Sequence, residues 1–289
     1  MTLPTRLDYP VIAVGDLHGR RDWLEALVAR LRRLPEWPAA RLVFLGDLVD
    51  RGPDVKGAVR LVLDLIAEKP GSTCVLGNHD LALVRAAGLD GEPSPRWAVR
   101  YADGYDHVPT FTSYLGKEPQ YYSADDWRND LRLLREAMPE EHRAFLAGLP
   151  WVAEADGHVF VHNGLSPELD EPAGVQLELL RRRKWAGYAT PRLGTDTHAR
   201  FDPEYPVWLG ADKRLSADPL PVPGRVIVSG HVRLAAPDAN RVRVRIDTSG
   251  GAAPPLTGCL LRGPGADPVF VFSHDAGDAG RRESGERNP

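Results

Sequence analysis

An α/β fold, with a mainly parallel sheet and helices outside it, is what this sequence predicts. Three observations carry the prediction. The first 80 residues alternate short β-type apolar runs with stretches of helical spacing. The first three apolar runs each end on a turn bearing a carboxylate, an amide or an imidazole: Asp16-Leu17-His18-Gly19, Asp47-Leu48-Val49-Asp50-Arg51-Gly52 and Asn78-His79-Asp80. Short β-type runs then recur late in the chain. Open α/β sheets bind ligands just beyond the carboxyl ends of their strands, where all three turns fall.

The elements follow in order. Val11–Val14 reads as the first strand, and 23–34 as a helix through Trp23, Leu24, Leu27, Val28 and Leu31, with Asp22 as a possible cap. Residues 42–45 read as the second strand. Asp54 can cap a helix carrying Val55, Val59, Val62, Leu63 and Ile66, which stops near Pro70-Gly71. Residues 73–76 read as the third strand. Residues 88–125 contain Pro93, Pro95, Pro109, Pro119 and many aromatics with little periodicity, which reads as a long irregular loop bordering a cleft. Helices are expected at 128–138 and 140–149, and a strand at 159–161 ending on His162. Residues 184–224 are again Gly- and Pro-rich. Val226–Ser229, 242–246, Thr257–Leu261 and Val269–Phe272 read as strands of an antiparallel-looking second half. One domain is expected over 1–274, followed by a polar, disordered tail at 275–289.

Composition narrows the class. The 289 residues are 43% hydrophobic and 26% charged, the profile of a soluble globular protein. A net charge of -4 gives no global basic field, so nucleic acid is not an expected partner. Cys74 and Cys259 lie within apolar runs and read as core thiols. The first ten residues lack the apolar segment of a leader, and no apolar run approaches the ~18 residues of a membrane span. A reducing, cytoplasmic setting is expected.

Asp16, His18, Asp47, Asn78, His162 and His231 form the ligand inventory of a two-metal hydrolase site. Two divalent ions ~3.5–4 Å apart need a bridging anion and separate terminal ligands, and neutral His and Asn keep the total charge low enough for an anionic substrate. Taken singly, Asp16 and Asp47 would be ordinary helix caps, Asn78 a turn residue, and His162 and His231 satisfied core histidines. Their joint strand-end, Gly-flanked placement favours the ligand reading. His107, His142, His158, His198 and His274 belong to no motif and read as surface or structural.

These motifs resemble those of the phosphoprotein phosphatases within the calcineurin-like metallophosphoesterases. That pattern is Gly-Asp-x-His-Gly, Gly-Asp-x-Val-Asp-Arg-Gly, Gly-Asn-His-Glu/Asp and two later histidines. The likeness is close over 11–80 and looser over 158–165 and 226–231. Asn163, Val232 and Ser229 depart from the usual residues without removing a ligand. The resemblance implies an α/β/β/α sandwich of two mixed sheets flanked by helices, with a dinuclear site at strand ends. It implies one metal on Asp16, His18 and bridging Asp47, a second on Asp47, Asn78, His162 and His231, and attack by a metal-bridging hydroxide. His79 would be the general acid, oriented by Asp50. Arg51, Asn78 and a second arginine would bind phosphate, and Arg183 is the favoured choice within Arg181-Arg182-Arg183. Manganese is the expected metal, with iron or zinc as alternatives.

The leading functional expectation is therefore a protein serine/threonine phosphatase acting on a phosphorylated protein or small phosphoester. Retention of Asp50 favours it over a symmetrical diadenosine tetraphosphate hydrolase, a branch in which that Asp tends to be lost. A small-molecule or nucleotide phosphatase is a further alternative. A non-catalytic binding scaffold is disfavoured because no expected ligand is missing.

Overall fold

Two five-stranded sheets pack face to face, and the two-residue alternation of their strands explains how. The computed structural model describes residues 3–120, 123–184, 205–210 and 214–275. In the first sheet β1 (Val11–Val14), β2 (Arg41–Phe44) and β3 (Thr73–Cys74) run parallel. β9 (Thr257–Leu261) pairs antiparallel with β1, and β10 (Val269–Phe272) with β9. The second sheet contains β4 (Ala153–Ala155), β5 (His158–Phe160), β6 (Val226–Ser229), β8 (Arg243–Arg245) and β7 (Asp238–Ala239), in that spatial order. Val11, Ala13, Val43, Leu45, Cys259 and Leu261 point from the first sheet toward Ala153, Phe160, Val228, Val244 and Ile246 of the second. Their neighbours Ile12, Val14, Leu42, Phe44 and Leu260 point the other way, into a larger core with Leu24, Leu27, Val59 and Val62. The latter residues come from α1 (Arg21–Leu31) and α2 (Val55–Glu68), which cover the first sheet. Both faces of the strands are thus buried, which matches their unbroken apolar runs.

The mixed sandwich agrees with the expected fold, with local corrections. The late strands do not form an antiparallel half. β9 and β10 extend the first sheet, while β5, β6 and β8 run parallel in the second. The short strands β4 and β7 were not anticipated, and the third strand is shorter than 73–76. Cys74 and Cys259 are free and buried. Among the described residues no helix is long and apolar enough to cross a membrane.

The largest correction concerns 88–125, which is mostly helical rather than irregular. After α3 (Asn78–Ala87), the chain forms α4 (Pro95–Gly104) and α5 (Val108–Leu115), then α6 (Ala124–Ala137) and α7 (Glu140–Gly148). Two of the four prolines that suggested a loop sit in first turns, where a missing N–H costs nothing: Pro95 follows the cap Ser94, and Pro109 is near the start of α5. Ser123 caps α6 by accepting from the Asp126 amide at 3.1 Å. α8 (Ala173–Arg181) is a further helix that no periodicity announced. The described part of 184–224 contains a 3₁₀ turn at Val207–Leu209 and α9 (Arg214–Ala217); 185–204 and 211–213 lie outside the described residues. The expected tail at 276–289 does also.

These helices share the main core. Phe111 of α5 is fully buried against Trp127 of α6, with ring centroids 5.3 Å apart. Phe111→Ala is expected to cost about 3–5 kcal/mol through lost burial and a residual cavity. Urea unfolding measures this, and a loss below about 1 kcal/mol would show that α5 is outside the cooperative core.

Candidate metal centre

Strand ends from both sheets converge on Asp47. β1 delivers Asp16 and His18, β2 delivers Asp47, Asp50 and Arg51, β5 delivers His162 and β6 delivers His231. Asn78 and His79 open α3, so the third motif is a strand-to-helix turn rather than a loop. Two glycines allow the β2 and β3 ends to meet. Gly46 has φ +92°, and a Cβ there would stand 2.5 Å from the Gly77 nitrogen; a Cβ on Gly77 would stand 2.1 Å from Asp47 Oδ1. His18, Asp47, Asp50, Arg51 and His231 all adopt positive φ between 45° and 69°. Non-glycine residues rarely do so, and such conformations persist only where the surroundings impose them. Here backbone hydrogen bonds impose them: the Leu17 and His18 amides both donate to the Asp47 carbonyl, at 3.1 and 2.7 Å.

The donor atoms face one another. Asp47 Oδ2 lies 3.5 Å from His18 Nε2 and 3.4 Å from His162 Nε2. Asn78 Oδ1 is 2.9 Å from both His162 Nε2 and His231 Nδ1, and those two nitrogens are 3.0 Å apart. Asp16 accepts the His231 amide on both oxygens at 3.0 Å. The opposite ring nitrogens are committed: His18 Nδ1 donates to the Val49 carbonyl at 2.9 Å and His162 Nδ1 to the Leu45 carbonyl at 2.7 Å. This fixes the tautomer that leaves each Nε2 lone pair aimed inward, the usual support of a metal-ligating histidine.

Electrostatics agree with that reading for His18 and depart from it for His162. Burial pushes the His18 imidazole well down and His231 down to about 3, so both are neutral near pH 7. Burial pushes Asp47 upward, but His162, His79 and His18 outweigh it and hold its carboxyl well below the usual range. Burial and the neighbouring Asp247 carboxylate drive Asp16 well up. Burial opposes protonation of His162, yet Asp47 and Asp16 raise it to about 10, a sign that this pocket favours positive charge. Two clusters of donors, His18–Asp47–His79 and Asp47–His162–His231, lie within 4.8 Å and could each hold an ion. Carboxylate, amide oxygen and imidazole nitrogen suit Mn²⁺, Fe²⁺ or Zn²⁺, so the residues fit a pair of divalent cations sharing Asp47.

A proton-handling group adjoins these donors. His79 Nδ1 donates to Asp50 Oδ2 at 2.7 Å, and its Nε2 faces Arg51 Nη2 at 3.2 Å. Asp50 is fully buried, and its Oδ1 accepts from Tyr101 and Thr110 hydroxyls, each at 2.6 Å. Tyr105 packs edge-on against His79 with centroids 4.7 Å apart. Arg51 Nη1 lies 3.0 Å from His18 Nε2 and donates to the Gly250 carbonyl at 2.8 Å. Tyr101, Tyr105 and Thr110 come from 88–125, so this segment does border the site.

Asp50→Asn is expected to lower kcat about 10²-fold with KM little changed. Tyr101 and Thr110 both donate to one oxygen, so the amide nitrogen of the substituted side chain would face His79 Nδ1 and disfavour the imidazolium. Steady-state kinetics test this; an unchanged kcat would refute the pairing.

Two differences from expectation stand out. Arg183, expected to bind phosphate, commits its guanidinium to main-chain carbonyls. It donates to the carbonyls of Ala147 (3.0 Å), Gly148 (2.6 Å) and Leu149, closing the end of α7. Arg181 pairs with Glu154 and Glu178, and Arg182 with Glu178. The run therefore braces structure around α8. Asp247, conversely, was missed. It is buried beside Asp16 and accepts the Gly250 amide at 2.7 Å. Its sequence signal resembles that of Asp16 and Asp47: a β-type run, then Asp, then Gly250-Gly251.

With this geometry in view, comparison with known proteins defines the class. The calcineurin-like phosphoesterase family profile matches residues 9–232. The chain belongs to that family. It is 43% identical over 79 residues to the symmetrical bis(5'-nucleosyl)-tetraphosphatase of Ralstonia nicotianae, covering 27% of this chain and 25% of that one. It is 27% identical over 189 residues to the same-named protein of Janthinobacterium sp. (strain Marseille), covering 64% and 56%. The chain thus spans between a quarter and somewhat over half of these curated relatives. A solved structure provisionally named a diadenosine tetraphosphatase superposes with TM-score 0.55 at 20% identity, covering 96% of this chain and all of that one. A cold-active protein tyrosine phosphatase superposes with TM-score 0.53 at 16% identity, covering 93% and 81%. These two likenesses establish the fold.

Proposed function

We propose that this chain is a dinuclear metal-dependent phosphoesterase whose substrate is a dinucleoside tetraphosphate. The convergence of five ligand-type side chains on Asp47, with His79 and Arg51 at the same rim, supports the phosphoesterase reading. The names of the curated relatives support the substrate and reverse the order expected from sequence, in which a serine/threonine phosphatase came first. Asp16, His18 and Asp47 would hold one ion, and Asp47, Asn78, His162 and His231 the other; manganese is the proposed metal. When bound, such a pair supplies Lewis-acid polarisation and a water of lowered pKa.

The chain's own residues do the rest. Arg51 clamps phosphate oxygens, since its planar, permanently charged guanidinium matches them bidentately. His79 Nε2 lies beside that guanidinium, so a phosphate held by Arg51 places its leaving oxygen within reach of the His79 proton. Asp50 keeps the imidazole oriented and stabilises its charged form. Asn78, beside His162 and His231, faces the same phosphate.

One observation favours a second reading. The His79–Asp50 pair is intact, and a proton donor matters most when the leaving group is a poor one, such as the serine alkoxide of a phosphomonoester. A substrate panel decides between them. With manganese, diadenosine tetraphosphate is expected to yield two nucleoside diphosphates at a kcat/KM at least ~10-fold above that of phosphoserine or phosphothreonine peptides, a ratio equivalent to about 1.4 kcal/mol. The inverse ratio would support the phosphatase reading.

A further inference from the structure

Beside the metal centre lies a cavity of about 480 Å³ lined by Arg51, Asp106, His231, Arg233, Asp247 and Gly250, among others. Its size falls within the range of small-molecule sites, ~300–1,000 Å³. Its lining joins Arg51, assigned above to the scissile phosphate, to Arg233, which none of that chemistry uses. We infer that Arg233 forms a second anion subsite, which binds a phosphate one or more units along the chain from the one being cleaved. The inference rests on the phosphoesterase reading and extends it to substrates with linked phosphates.

Placement and availability argue for it. The loop carrying Arg233 is pinned on both sides. The His231 amide donates to Asp16, the Val232 amide to Gly230 at 2.8 Å, and the Leu234 amide to the Asp247 carbonyl at 2.8 Å. Arg233 is exposed, and its stem runs across Gly250, where a Cβ would meet Arg233 Cδ at 3.1 Å. The carbonyl of the same Gly250 is the acceptor of Arg51 Nη1. Two guanidinium side chains therefore flank one glycine and line one cavity. Among the described residues, no carboxylate or carbonyl holds the Arg233 guanidinium, whereas Arg181, Arg182, Arg183, Arg225, Arg243 and Arg245 are all engaged. Asp106 and Asp247 also line the cavity, but Asp106 stands 3.8 Å from Arg51 Nε and Asp247 is turned to the Gly250 amide. A monoester's single phosphate would be satisfied at the metal centre and Arg51. A linked chain of phosphates extends further, and a permanently charged guanidinium is the group suited to its next oxygens.

The test compares two inhibitors of p-nitrophenyl phosphate hydrolysis, at buffered free manganese. For the full chain, inorganic tripolyphosphate is expected to inhibit more tightly than orthophosphate. In Arg233→Gln the ratio of the two inhibition constants should collapse by at least tenfold, and Arg233→Lys should restore part of it. An unchanged ratio in Arg233→Gln overturns the subsite, as does an equal weakening of both inhibitors. The outcome is independent of the substrate panel above: a chain that fails to cleave diadenosine tetraphosphate but loses tripolyphosphate selectivity on substitution keeps the subsite and rejects that substrate.

Discussion

Asp47→Asn is expected to reduce kcat/KM by at least about 10³-fold and to lower the bound metal toward one ion per chain or fewer. The two carboxylate oxygens do different work. Oδ1 accepts the His79 amide at 2.9 Å, and Oδ2 faces His18 Nε2 and His162 Nε2. An amide cannot serve both. If its nitrogen faces the His79 N–H, two donors collide and the start of α3 must shift; if it faces the imidazoles, a donor occupies the bridging position. Losing Lewis-acid stabilisation of about 4 kcal/mol or more corresponds to at least three powers of ten in rate. Elemental analysis of purified protein, alongside kinetics, reads both effects. Retention of two ions at full activity would remove Asp47 from the bridging role.

His79→Asn should act differently. Both ions should stay, because the proposed ligands are untouched, while kcat falls by at least about 10²-fold, the scale of general acid catalysis. The deficit should depend on the leaving group. It should be larger for phenyl phosphate than for p-nitrophenyl phosphate, whose leaving oxygen needs less help from a proton. Arg51, 3.2 Å from His79 Nε2, loses a neighbour but keeps its bond to Gly250, so KM should change little. A loss confined to KM would make His79 a binding residue.

How much of this was legible in the sequence depends on range. Strand-end motifs such as Asp16-Leu17-His18-Gly19 are local: a run of β-type residues forces the next polar group to the end of a sheet, and the parallel register places three such ends side by side. His162 and His231 could be nominated for the same reason. Partners that meet through the helices could not. Tyr101 and Thr110 reach Asp50 from 51 and 60 residues away, and no periodicity encodes that meeting. Proline misled in 88–125 because its effect depends on position within a turn, which a count of breakers does not capture. A basic run looks the same in sequence whether it caps carbonyls or meets a phosphate, and in the fold the carbonyls at the end of α7 hold the Arg183 guanidinium.

The helices α4 and α5 do more than border the site. Their Tyr101 and Thr110 hold Asp50, the Asp106 carbonyl between them accepts the Arg51 amide at 2.9 Å, and Tyr105 rests on His79. The excursion that shapes access is also part of the proton-transfer apparatus. For protein engineering this means that loop grafting is a poor route to new selectivity here: exchanging 88–120 for a relative's segment would alter turnover on every substrate at once. Selectivity is more separable at the 230–234 loop, which is anchored by main-chain bonds and whose exposed side chain is free to vary.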